Sequence, residues 1–128
     1  MFGLFKRKKI EIENKSELVK TMSQIVELLN DNGFICQAAA VEKPLQYLNY
    51  DDKKNFLKTF LTIDIWGGSG AAWEVGGFKS RQTEVEFQSC FIKLAELMKQ
   101  TGIKSRKAES VARFFKEDVE KNNSTTYR

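Results

Sequence analysis

Leu18, Met22, Ile25 and Leu29 recur at intervals of three and four residues, with Val26 beside them. Side chains at that spacing share one face of an α-helix. The pattern returns along most of the chain. Between about Phe34 and Leu48 it runs through a slim Ala38-Ala39-Ala40-Val41 segment and resumes at Leu45 and Leu48. Phe56, Phe60 and Ile63 form one line and Leu57 and Leu61 the next. Phe87, Phe91, Leu94, Ala95 and Met98 make a fourth stripe, and Ala108, Val111, Ala112, Phe115 and Val119 a fifth. A chain built this way removes its apolar surface from water by packing stripe on stripe.

Local signals place the boundaries. Asn14 or Ser16 can open the first helix, and Glu17 stands three residues after Asn14, as a capping box requires. Asn32-Gly33 ends it. Pro44 removes a backbone donor and predicts a kink or division of the second helix. Asn49 to Asp52 reads as a turn and a cap. The third helix is expected to run unbroken to Gly67-Gly68, where positive φ would let the chain turn. The alternation in Leu61-Thr62-Ile63-Asp64-Ile65 fits a strand but finds no partner strand. Ser80 or Thr83 caps the fourth helix, with Glu86 three residues after Thr83. Gly102 stops it, and Ser105 opens the last. The expectation is all-α: an antiparallel bundle of about five helices with short connections. Residues 1–9 form a basic amphipathic tail, 10–122 a single helical domain, and 123–128 a frayed end.

Composition excludes several chemistries. The 128 residues include no histidine, the commonest general base and metal ligand. Cys36 and Cys90 are far apart in sequence, outside any CxxC pair, and fall in apolar segments, where reduced core thiols are expected. No metal site, cofactor or catalytic set emerges, so the chain is read as a non-enzyme. No apolar run approaches the roughly 20 residues needed to span a bilayer. The first residues lack the apolar region and cleavage site of a signal peptide, which points to the cytoplasm. Lys6, Arg7, Lys8 and Lys9 supply the whole net charge of +4. From Ile10 onward 17 cations face 17 acids.

Residues 65–78, IWGGSGAAWEVGGF, hold five of the eight glycines. A P-loop needs a Gly-Lys-Ser/Thr ending, and no lysine lies between Lys58 and Lys79. A dinucleotide fingerprint needs a third glycine where Trp73 stands, after a strand. Neither reading survives. Two structural readings stay open. Ser69 can cap a short helical turn over Gly70–Val75, or Trp73-Glu74-Val75 can pair with Phe78-Lys79-Ser80 about Gly76-Gly77. In both, Trp66, Trp73, Val75 and Phe78 plug a gap between helices three and four. The functional reading is a partner surface with Trp66, Trp73 and Phe78 as aromatic walls and Glu74 as polar handle.

Gly67-Gly68-Ser69-Gly70-Ala71-Ala72-Trp73-Glu74 resembles the loop of a class of small uncharacterised bacterial helical proteins. Their pattern is Gly-Gly-x-Gly-Ser-x-Asn-Asp between two helices. Trp73 replaces the Asn of that pattern, and Ala71 also departs from it. Some of these proteins look like immunity proteins, so the resemblance implies a bacterial protein that binds and neutralises a protein partner. Two alternatives stand beside it. Phe2, Leu4, Phe5 and Lys6 to Lys9 could attach to an anionic membrane surface, each cation contributing roughly 1 kcal/mol. Lys6 to Lys9 with Lys104, Arg106, Lys107 and Arg113 could contact nucleic acid, although the balanced charge of the body argues against it. Self-association is left open.

Overall fold

A computed structural model describes residues 14–68 and 70–125, with side chains through Lys121. The described residues are all-helical, with no strand among them. Helix α1 spans Lys15–Asp31, α2 Ile35–Asn49, α3 Lys53–Phe60, α4 Ile63–Trp66, α5 Arg81–Gln100 and α6 Arg106–Thr125. α1 packs on α2 and α5, α5 on α6, α2 on α3 and α4, and α4 touches α6. Most of the predicted stripes form the core: Leu18, Met22, Ile25, Leu29, Phe56, Phe60, Phe87, Phe91, Leu94 and Met98 are all essentially inaccessible, while Val119 at the end of the fifth stripe is only half-buried.

Several helix ends follow their local signals. Gly33 takes φ +85°, which lets Phe34 N–H reach Leu29 O at 2.8 Å and Gly33 N–H reach Asn30 O at 3.1 Å, the double closure that satisfies terminal carbonyls. The end of α5 closes the same way, from Ile103 N–H to Met98 O at 2.8 Å. Ser80 Oγ accepts from Thr83 N–H at 3.1 Å and Ser105 Oγ from Ala108 N–H at 3.1 Å, so Ser80, not Thr83, caps α5. Asp52 caps α3, accepting from the Asn55 backbone at 3.2 Å and from its side-chain amide at 2.8 Å. These bonds hold the Asp52 carboxyl below its ordinary value, the side-chain bond contributing most.

Other expectations are corrected. The Asn14–Glu17 capping box does not form. Asn14 sits at φ +58° with no side-chain cap bond, and Glu17 pairs instead with Lys93 of α5 at 3.2 Å. Pro44 does not divide α2, which runs through it with the proline ring buried. The lost hydrogen bond is outweighed by packing of Val41, Leu45 and Leu48 in the core on either side. The third predicted helix is two: α3 ends at Phe60, and Thr62 is extended before α4 begins. Thr59 Oγ1 donates to Asn55 O at 2.7 Å and Thr62 Oγ1 to Thr59 O at 3.1 Å, hydroxyl bonds that compete with the helix ladder. The break turns Leu61 and Ile63 to solvent and sends Ile65 and Trp66 inward. Cys90 is buried as expected, but Cys36 is exposed beside exposed Ile35 on the first turn of α2. The last helix continues past Asn122 to Thr125, since each added residue in a formed helix gains a hydrogen bond.

Gly67 follows α4, and its role is close approach rather than unusual backbone geometry, its φ being −75°. A β-carbon there would lie 2.6 Å from Ile63 O and 2.9 Å from Ile63 Cβ. At Gly68 a β-carbon would meet nothing within 4 Å. Gly67→Ala is therefore expected to destabilise the fold by about 1–3 kcal/mol through steric strain. Gly68→Ala is expected to be neutral or slightly stabilising by restricting the unfolded chain. Urea unfolding of the two variants beside the parent checks the contrast.

Candidate functional site

Past Trp66 the glycine-rich stretch is neither helical nor paired in its described part. Ala71 N–H reaches Gly68 O at 2.9 Å and Glu74 N–H reaches Ala71 O at 3.1 Å, giving two successive tight turns. Ala72 N–H returns to Asp64 O of α4 at 2.8 Å and buries Ala71 and Ala72 completely. Residues 74–78 then run irregularly to α5. The helical turn over Gly70–Val75 and the hairpin about Gly76-Gly77 are both absent, and Ser69 lies outside the described residues. With no third strand nearby a short hairpin has little to hold it. The far end is tied instead by Lys79 N–H donating to Asn32 Oδ1 at 3.1 Å.

The predicted site residues divide. Trp66 is 3% exposed and belongs to the core. Its Nε1 donates to Phe60 O at 3.0 Å, and its ring meets Phe60 and Phe91 edge-on at 5.9 and 5.5 Å. Phe78 is half-buried between Phe34 and Phe87, with centroids 5.5 and 4.8 Å away. Trp73 is half-buried at the surface. Its Nε1 donates to Gly67 O at 2.6 Å, and its ring stands edge-on to Phe114 and Phe115 of α6 at 6.0 and 5.9 Å. Glu74 beside it is exposed. Phe2, Leu4, Phe5, Lys6, Arg7, Lys8 and Lys9 lie outside the described residues.

Phe114 is the residue that sequence reasoning missed. It falls off the Ala108–Val111–Ala112–Phe115 stripe and is 56% exposed. An aromatic on the polar face of an otherwise amphipathic helix was the available signal. Trp73 and Phe114 form a ridge with a groove on each side. One groove, about 470 Å³, has an apolar floor of Trp66, Val111 and the Gly67-Gly68 backbone, and carries Arg106 and Lys107. The other, about 400 Å³, carries Glu74, Glu84 and Asp118. A smaller hollow of about 260 Å³ between α5 and α6 mixes Glu96 and Glu109 with Lys99, Arg113 and Lys116 and has no aromatic wall. Arg113 thus lies apart from Arg106 and Lys107, interleaved with acids.

No group of three or more His, Cys, Asp or Glu side chains among the described residues could hold a metal ion. No described helix is long and apolar enough to cross a membrane. Neither thiol joins the ridge. No protein-family model, curated protein or solved structure matches the chain.

Burial, aided by the nearby Glu86 charge and opposed by Lys93, pushes the Cys90 thiol up to about 11. Thiolate is the reactive form, so Cys90 is doubly protected, by cover and by its proton. At neutral pH a thiol-reactive probe is expected to label Cys36 promptly and Cys90 only when the chain is unfolded. Peptide mapping of the labelled protein by mass spectrometry checks the order; prompt labelling of Cys90 in the native state would contradict its burial.

Proposed function

We propose that this chain is a non-enzymatic binding protein that holds a protein partner on the Trp73–Phe114 ridge. The partner's segment seats in the groove carrying Arg106 and Lys107. The supporting observation is the exposure of Phe114 together with its edge contact to Trp73. A large aromatic that is more than half open to water gains little for the fold and much for an interface, where tryptophan and its aromatic neighbours anchor binding. The groove's chemistry defines the occupant. An apolar floor wants an apolar anchor, and the two cations on its lining favour carboxylates flanking that anchor. The scaffold for this surface is the bundle, taken as antiparallel from its short connections. α4 and α6 hold the two halves of the ridge from different parts of the chain.

The resemblance of residues 67–74 to loops of immunity-like bacterial proteins gives the proposal its specific form: a cytoplasmic protein that neutralises a protein partner by covering it. Trp73 and Glu74, the positions where a partner would read the loop, stand on the ridge and in the acidic groove. Trp66 supplies part of the floor under the partner's anchor, and Phe78 packs between Phe34 and Phe87 as scaffold.

Phe114→Ala removes a ring that is more than half exposed but touches Trp73 and Phe115, and is expected to lower stability by only about 1 kcal/mol while leaving the fold intact. The same change is expected to weaken partner binding by about 2 kcal/mol, roughly thirtyfold in Kd. Affinity capture with the parent and Phe114→Ala chains side by side, followed by direct titration of what only the parent retains, checks this. A partner held equally by both chains would place the interface elsewhere. Hydrolase or transferase turnover by the purified protein would overturn the non-enzymatic reading.

A further inference from the structure

The acidic groove on the other side of the ridge contains an acceptor with nothing to accept. Gln88 of α5 is 95% buried, its exposure being 5%, and it lines this groove. Its Nε2 donates to Asp118 Oδ2 at 2.9 Å, which fixes the amide orientation, because the reverse orientation would set an oxygen against a carboxylate. Its Oε1 is then left buried with no donor from the protein. An unpaired buried acceptor is unfavourable, and natural folds keep few of them without a reason. Around it stand three carboxylates, Glu74, Glu84 and Asp118, and the faces or edges of Trp73, Phe114 and Phe115. No cation is among the residues lining the groove. Arg81 at the start of α5 reaches in from the rim, pairing with Glu84 and approaching Asp118 at 3.4 Å.

We propose that this groove is a receptor for a guanidinium group presented as an arginine side chain of a protein partner. Each part of the groove matches a property of that group. A guanidinium is planar and stacks against aromatic rings. It has five N–H donors in a fixed fork, enough to meet a carboxylate with two and still offer one to Gln88 Oε1. Arg81 demonstrates that Glu84 and Asp118 accept such a group. Its ion pairs are exposed, and pairs of that kind are weak, so an incoming guanidinium can take its place at small cost. A lysine ammonium is a compact, strongly hydrated charge with no plane to lay on Trp73 or Phe114, and fits less well. The receptor is on the far side of the ridge from the basic groove and stands without it.

The test uses the full chain, ¹⁵N-labelled, titrated with three short peptides identical except for one residue: arginine, lysine or the neutral isostere citrulline. The Trp73 indole N–H and the Gln88 side-chain amide report by NMR. The arginine peptide is expected to shift both signals saturably, the lysine peptide several-fold more weakly, and the citrulline peptide not at all. Arg81→Ala should tighten arginine binding several-fold by removing a competing guanidinium from Glu84 and Asp118. Gln88→Leu should weaken it about tenfold, the effect of one hydrogen bond to a charged group. Glu84→Gln, at the surface, should weaken it without disturbing the fold, and so keeps the test decisive if Gln88→Leu folds poorly. Absence of a saturable shift in Arg81→Ala, equal response to arginine and citrulline, lysine binding as tight as arginine, or undiminished binding in Glu84→Gln would each overturn the proposal.

Discussion

Two indole N–H bonds hold the centre of this structure. Trp66 Nε1 donates to Phe60 O, the last residue of α3, and Trp73 Nε1 donates to Gly67 O, the first residue after α4. An indole removed from water in whole, as Trp66, or in part, as Trp73, needs an acceptor for its N–H, and these two bond carbonyls at helix ends, where intrahelical partners run out. The first bond drives Trp66 into the core against Phe91 of α5. The second draws the glycine-rich stretch back over α4 and lays Trp73 on Phe114 and Phe115 of α6. A ladder of ring contacts results, from Phe56 and Phe60 through Trp66, Phe91 and Phe115 to Trp73. Each edge contact contributes about 0.5–1.5 kcal/mol beyond area burial. Gly67 makes the arrangement sterically possible, since a β-carbon would collide with Ile63.

What was legible in the sequence was local. The stripes of α1, α2 and α5, the Gly33 and Gly102 stops, and the Ser80 and Ser105 caps rest on short-range patterns and are found in place, whereas the third stripe holds at Phe56 and Phe60 and fails at Leu61 and Ile63. What was not legible depends on contacts across the chain. The break after Phe60 comes from threonine hydroxyls competing with the helix ladder and from the inward demand of Trp66. Periodicity alone could not see either. Pro44 survives in α2 because packing on both sides outweighs one missing bond. Cys36 looked like a core thiol by its neighbours, yet it faces out because Ala38 and Val41 take the buried side of α2. The candidate site was half visible: Trp73 and Glu74 stood out, while Phe114 and Gln88 acquire meaning only when α5 and α6 come together.

The ridge separates opposite charges. Arg106 and Lys107 lie on one flank and Glu74, Glu84 and Asp118 on the other, with Trp73 and Phe114 between. A partner that matches both flanks must present its own acids and bases in the right order, so the arrangement favours selectivity as much as affinity. The glycine-rich stretch therefore serves by shape. It bends tightly enough to bring one tryptophan inside and leave the next at the surface, and no phosphate-binding role is needed to explain it.

The two tryptophans thus sit in different environments, and single-tryptophan quenching tests that difference directly. With Trp73→Phe, the remaining Trp66 is expected to emit as a buried indole and to resist quenching by acrylamide. With Trp66→Phe, the remaining Trp73 is expected to emit at longer wavelength and to be quenched several-fold more efficiently. Equal quenching of the two, or a Trp73 as protected as Trp66, would contradict a Trp73–Phe114 ridge at the surface.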